Sequence, residues 1–195
     1  MFDFLELSIW GVMFALAAGY LIGSIPSGVI FSKLFGGPDP RVSGSGHTGA
    51  TNVFRNIHPL AGALTALLDV VKGAFAVWLV QLIFPSPWVI PLAGVAAVVG
   101  HCWPVFTDFR GGMGIGTSAG LALWQFPLAL PIYVAAYFVV NYFVKHQART
   151  IMLISAFLPL MVLPFTASPE KIALASGVAM TLIIRWASDF YRVYE

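Results

Sequence analysis

Charge is scarce in this sequence. Ten Lys or Arg and eight Asp or Glu make up 9% of its 195 residues, where a soluble domain carries about a quarter. A water-covered globule is excluded by that shortage. Cysteine occurs once, at Cys102, so there is no internal disulfide, and no Cys/His cluster stands at metal-ligand spacing. The lone thiol lies in an apolar stretch and reads as a small packed residue. Several catalytic signatures are missing as well. There is no GxxxxGKS/T phosphate loop, no GxSxG nucleophile elbow, and no HxxxxD, because the residues five places after the four His are Asn52, Ala63, Phe106 and Ile151. Nucleotide hydrolysis and a soluble-type triad are therefore not expected, nor is a metal, another cofactor or a nucleic-acid partner. A cleaved leader would start with basic residues, whereas this chain starts MFDFLEL with two acids, so its N-terminus reads as mature sequence.

What is present is apolar. Hydrophobic residues are 59% of the chain and the mean hydropathy is +0.88, the composition of a protein embedded in a lipid bilayer. A span needs about 20 apolar residues, and hydropathy places spans near 7–33, 60–84, 88–106, 114–126, 128–145, 151–166 and 171–187. The fourth and fifth are parted by little more than Gln125, Phe126 and Pro127. Pro26, Pro131 and Pro159 fall within predicted spans, where Pro is tolerated if neighbours satisfy the freed carbonyls. The expected architecture is all-α: one polytopic helical bundle of about seven transmembrane helices, a single domain over residues 1–195. In that arrangement Lys33, Arg41, Arg55, Arg110, Lys145, Arg149, Arg185 and Arg192 share one side. Lys171 lies opposite and Lys72 lies within a span. The positive-inside rule then puts the N-terminus outside and the C-terminus in the cytoplasm.

Two glycine-rich stretches interrupt the apolar runs, both on the expected cytoplasmic side. The first, VSGSGHTGATNVFR at 42–55, has Gly44, Gly46 and Gly49 among small polar residues, then Thr51 and Asn52 as donors, and ends in Arg55. Glycines let successive backbone N–H groups point into one concavity, and an Arg fork completes a phosphate site. The second, GHCWPVFTDFRGGMGIGT at 100–117, runs from His101 and Arg110 through Gly111, Gly112, Gly114 and Gly116 into a helix at Thr117; helix N-termini attract anions for the same reason. Asp69 and Lys72 stand three apart on one face of the second span. Ionisable groups at that depth are costly and point to function, although a mutually neutralising structural pair fits them equally. His58 and His146 read as interfacial residues. The chemistry these features allow is electrostatic catalysis on phosphate-bearing groups at a membrane face.

The segments GSIPSG (23–28), DPRVSGSGHTGATNVFR (39–55), LLDVVKG (67–73), GHCWPVF (100–106) and FRGGMGIGT (109–117) resemble, in order and spacing, the bacterial acyl-phosphate:glycerol-3-phosphate acyltransferases, integral membrane enzymes of phospholipid synthesis. The resemblance covers nearly the whole chain. It implies a seven-helix bundle in the bacterial inner membrane that moves a fatty acyl group from acyl phosphate to the 1-hydroxyl of glycerol 3-phosphate, giving lysophosphatidic acid without acyl-CoA, metal or covalent intermediate. It also implies roles. Ser45 and the amides of Gly44, Gly46 and Gly49 would contact phosphate, Thr51, Asn52 and Arg55 would fix it, and Gly111, Gly112 and Gly114, with Thr117, would form a second cradle. Lys72 and Arg185 would add charge, and an apolar groove between helices would hold the acyl chain. The base stays open among His47, His101 and the substrate phosphate. The chain departs from the family pattern at His47 (usually Asn), at Met113 (usually Lys) and at 185–190, where an Arg-His-x-x-x-Asn type segment reads ArgTrpAlaSerAspPhe, keeping Arg185 but losing the His and Asn and adding Asp189, an acid that would repel phosphate; a weakened acceptor-phosphate site is predicted. Two rivals follow, a divergent relative with weak activity or another acceptor, and an anion or lipid transporter, which the lack of visible internal symmetry disfavours.

Overall fold

The computed structural model describes residues 8–192, and its regular elements are all helical. The acidic start at 1–7 lies outside the described residues. The helices are α1 (Ile9–Gly23), α2 (Ser27–Leu34), α3 (Ala50–Asn56), α4 (Pro59–Ile83), α5 (Val89–Cys102), α6 (Ile115–Gln125), α7 (Ala129–Val144), α8 (Gln147–Ala156), α9 (Leu158–Val162) and α10 (Pro169–Ala187).

Close helix packing is written in small residues. In α1 the buried positions are Gly11, Ala15, Gly19 and Gly23, one every four residues. This stripe lies directly on α5, where a Cβ at Gly19 or Gly23 would strike the backbone of Ala93 or Ala97. Without a hydrophobic drive between helices in lipid, such close backbone approach is what holds spans together. Gly73 and Gly120 bring α4 and α6 together in the same way, against the backbones of Thr117 and Val70. The outer surface is correspondingly apolar: Trp10, Leu67, Leu82, Phe138, Phe143 and Met180 are all exposed.

Three segments are long and apolar enough to cross a bilayer: Ile9–Leu34, Pro59–Ile83 and Val89–Thr107. The pair Gln147–Ala156 and Leu158–Phe165, bent by 56°, makes a fourth if it is one broken span. The expected seven are not all of this length. Helix α6 has 11 residues, about 17 Å at 1.5 Å per residue against a hydrocarbon core of about 30 Å. Proline explains the breaks. Pro26 separates α1 from α2, and the nearby Ile25 carbonyl accepts from Ser27 N–H and Lys72 Nζ. Pro131 and Pro159 lie in the first turns of α7 and α9, where the missing N–H costs nothing. His58 and His146 each cap a helix, α4 and α8, through Nδ1.

The basic loops meet at one end of the bundle. Arg110 donates to the Arg41 carbonyl, Arg41 bonds Asp108 and Asp39, and Arg149 stacks on Phe190 and donates to its carbonyl. The Arg41 guanidinium holds the Asp39 carboxyl below the usual range, mainly through the side-chain hydrogen bond.

Candidate functional site

The first glycine stretch is half loop and half helix, since α3 begins at Ala50. Gly44 and Gly46 take φ of 54° and 74°, left-handed values that favour glycine. Asn52 holds the loop in this shape. Its Nδ2 donates to the carbonyls of Pro40, Ser43 and His47 at 3.0, 3.0 and 2.7 Å, and its Oδ1 accepts from Ser45 N–H and Asn56 Nδ2 at 3.0 and 2.9 Å. Asn52 is buried and fully engaged, so it shapes the site instead of donating to a ligand as the sequence suggests.

The second glycine stretch is built differently. A Cβ on Gly111 would strike the His101 carbonyl, and one on Gly112 the His101 ring. Gly112 N–H donates to the His101 carbonyl at 3.1 Å. The carbonyls of Gly111 and Gly112 accept from Arg185, at 3.2 and 2.9 Å, and the Met113 carbonyl accepts from Trp186 Nε1 at 3.0 Å. The amide of Gly112 is thus spent and the carbonyls face a cation, so these two glycines form a packing joint where an anion cradle was expected. Gly114, at φ 86°, turns the chain into α6.

Arg185 also ties the two loops together, because its Nη2 lies 3.3 Å from His47 Nδ1. His47 Nε2 bonds Asp189 Oδ2 at 2.9 Å. With Nδ1 accepting from Arg185 and Nε2 donating to Asp189, the ring has no lone pair left for a substrate proton. Burial pushes its pKa below the ordinary value, against the pull of Asp189. Asp189, the acid that departs from the family pattern, is buried against His47 and lies 3.9 Å from Arg192 Nη1.

Behind the loops lies a buried polar knot. Asp69 Oδ1 accepts from Ser27 Oγ, pairs with Lys72 Nζ at 2.9 Å, and lies 3.4 Å from His101 Nδ1. Lys72 Nζ further donates to the Ile25 carbonyl at 2.9 Å. A buried charge survives only when paired and hydrogen-bonded, and Lys72 meets that demand with protein partners. Asp69 stood out in the sequence as an ionisable residue within a span; Ser27 did not, although it lies next to the Pro26 break.

These elements enclose a cavity of about 630 Å³. Gly44, Ser45, His47, Gly49, Thr51, Asn52, Arg55 and His101 border it, as sequence reasoning suggested, joined by Asp69, Met113, Gly116 and Arg192. Gly46, Lys72, Gly111, Gly112, Gly114, Thr117 and Arg185 do not border it: Thr117 is buried against Gly73, and the others are placed as described above. The first turns of α3 and α6 both open onto the cavity, through Ala50 and Thr51 and through Ile115 and Gly116. Two positive helix ends and two Arg therefore face one space. Next to it runs an apolar groove of about 360 Å³ between α6, α7, α8 and α10, sharing Ile115 and Gln147 with the polar cavity.

Comparison with known proteins decides the family. The model of the glycerol-3-phosphate acyltransferase family matches residues 13–195. The chain belongs to this family. Glycerol-3-phosphate acyltransferases of Bacillus velezensis (38% identical over 174 residues, 89% of each chain) and Bordetella petrii (41% over 186 residues, 91% of this chain and 87% of the relative) are among its relatives. The crystal structure of PlsY (YgiH), an integral membrane glycerol 3-phosphate acyltransferase, in its glycerol 3-phosphate form superposes with a TM-score of 0.79 at 28% identity, over 93% of this chain and 90% of that one. The family has the all-helical membrane fold found here.

Proposed function

We propose that this chain transfers a fatty acyl group from acyl phosphate to the 1-hydroxyl of glycerol 3-phosphate, in the bacterial inner membrane, releasing phosphate and forming lysophosphatidic acid. The observation that carries this reading is the continuity of the anion-attracting cavity with the apolar groove. Such a pair suits a phosphate-headed chain and a small polar acceptor.

The acyl chain lies in the groove and its activated carbonyl reaches the cavity. Ser45, Thr51 and Arg55, with the amide ends of α3 and α6, hold the phosphates; Arg55 supplies the planar fork. His101 borders the cavity with Asp69 behind it, and it takes the proton of the attacking hydroxyl. A carbon–oxygen bond forms to the glycerol oxygen, the bond between acyl carbon and phosphate oxygen breaks, and phosphate leaves. Positive helix ends stabilise the charge that develops on the acyl oxygen, and the enclosure holds both reactants near attack geometry. Gly111, Gly112, Arg185, His47 and Asn52 keep the two loops in register.

The one-ended cluster of Arg41, Arg55, Arg110, Lys145, Arg149, Arg185 and Arg192 supports a cytoplasmic placement of this site, with the N-terminus outside and the C-terminus inside. The test is an assay of purified protein in lipid with acyl phosphate and glycerol 3-phosphate. Equal amounts of phosphate and lysophosphatidic acid are expected, and phosphate release without the lipid product refutes the assignment.

A further inference from the structure

A second polar cavity, of about 430 Å³, opens at the turn between α7 and α8. Asn141, Tyr142, Lys145, His146, Gln147 and Arg192 border it, and among the described residues no carboxylate does. Lys145 closes α7 in the left-handed region, at φ 54°, which sets it directly before the positive end of α8. His146 caps that helix: its Nδ1 accepts from Arg149 N–H at 3.5 Å, so in the neutral ring the hydrogen sits on Nε2. That Nε2 is buried and has no hydrogen-bond partner. A buried N–H donor carries an uncompensated desolvation penalty until an acceptor reaches it. Two cations, Lys145 and the Asp189-paired Arg192, and a helix start border this cavity, and the unsatisfied donor belongs to a residue of its wall. Arg192 Nη1 lies 3.9 Å from Asp189 Oδ2, a carboxylate also bonded to His47 and not on the cavity wall.

This cavity is not isolated. Tyr137 borders both it and the apolar groove, Arg192 borders both it and the 630 Å³ cavity, and Gln147 borders all three. We propose that the α7–α8 cavity is a second headgroup site, which holds the phosphate of a single-chain amphiphile while its chain lies in the apolar groove. The proposal rests on the acyl-transfer reading above, and makes this site the waiting position of acyl phosphate on entry or of lysophosphatidic acid on exit. Lys145 and His146 Nε2 donate to the phosphate oxygens. Gln147 and Arg192, shared with the reaction cavity, hand the headgroup across. One groove admits one chain, which sets the ligand apart from two-chain phospholipids.

The test uses the full chain in lipid nanodiscs and measures binding of oleoyl lysophosphatidic acid, monooleoylglycerol and inorganic phosphate by calorimetry, beside steady-state kinetics. Lys145→Asn removes the charge and keeps a residue that tolerates positive φ; His146→Asn keeps a helix cap and removes the ring donor. Each variant is expected to weaken lysophosphatidic acid binding about tenfold, with monooleoylglycerol binding and the KM for glycerol 3-phosphate unchanged. Unchanged lysophosphatidic acid binding in both folded variants overturns the site. Inorganic phosphate binding as tightly as the lipid, with the same loss in Lys145→Asn, overturns the amphiphile in favour of free phosphate. A wild type that binds the lipid through Lys145 but makes none from acyl phosphate and glycerol 3-phosphate keeps this site and refutes the acyl-transfer reading instead.

Discussion

The two glycine-rich stretches, 42–55 and 100–117, look alike in sequence and do different work in the fold. In the first, Gly46 is needed for backbone angle alone and Gly44 for angle and for the space taken by the Asn52 and Asn56 side chains, and the loop they form is held from within by Asn52. Its Gly44, Ser45, Gly49 and Thr51 line the reaction cavity. In the second, Gly111 and Gly112 are needed for the missing Cβ, because the His101 backbone and ring lie against them, and their carbonyls are fastened by Arg185. The lesson is that glycine marks a constraint without saying whether it is conformational or steric. Only the neighbours in space distinguish the two, and the two kinds fail differently on substitution.

The sharpest break is Gly111→Ala. The added Cβ meets backbone, which cannot move aside as a side chain can, so a loss of about 3 kcal/mol of stability is expected, with activity lost as the loops separate. Thermal unfolding in detergent measures it, and a wild-type midpoint removes the steric role. Asn52→Leu comes next. It leaves Ser45 N–H and the carbonyls of Pro40, Ser43 and His47 without their partner, a cost of about 2 to 3 kcal/mol, and it should lower kcat/KM beyond what the unfolded fraction explains. Arg55→Lys separates chemistry from folding. With the unfolding midpoint unchanged, kcat/KM should drop by about tenfold or more, since an ammonium cannot reproduce a planar fork on phosphate; full turnover would reduce the first loop to a linker.

Gly46→Ala sharpens the contrast from the other side. The nearest atom to its new Cβ is the Arg41 carbonyl oxygen at 3.5 Å, ordinary contact, so only left-handed strain remains, about 1 kcal/mol. A loss as large as that of Gly111→Ala would erase the distinction between the loops. The smallest effect concerns His47, which joins the first loop to α10. Its folded pKa lies below the unfolded value of about 6.5, so below that pH the unfolded chain binds the proton more readily. Stability should therefore be complete above pH 6.5 and decline as pH falls towards the depressed folded pKa. His47→Asn should flatten this slope, and equal slopes for both proteins would show that the ring carries no such linkage.

Part of this site was legible in the chain and part was not. Ser45, Thr51, Arg55 and His101 could be chosen because small polar residues, an Arg and a His stand out locally against an apolar background. The resemblance gave Lys72 and Arg185 to the ligand as well, whereas in the fold both bond protein groups. A cation looks available in sequence whatever it touches in space, and these two are committed to Asp69 and Ile25, and to the glycine carbonyls and His47. His47 and Asp189 each looked like a departure that would harm the site; 142 residues apart, they answer one another across a 2.9 Å bond.

By itself the sequence determined that this is an all-helical membrane chain with anion-attracting loops, because hydropathy, charge scarcity and glycine content act over a few neighbouring residues. The tertiary structure alone decided which glycines yield angle and which yield space, that Ser27 from 42 residues away meets Asp69, and that a polar cavity adjoins an apolar groove. Those outcomes depend on which helix faces meet, and small-residue stripes such as Gly11, Ala15, Gly19 and Gly23 permit close approach without naming the partner that makes it.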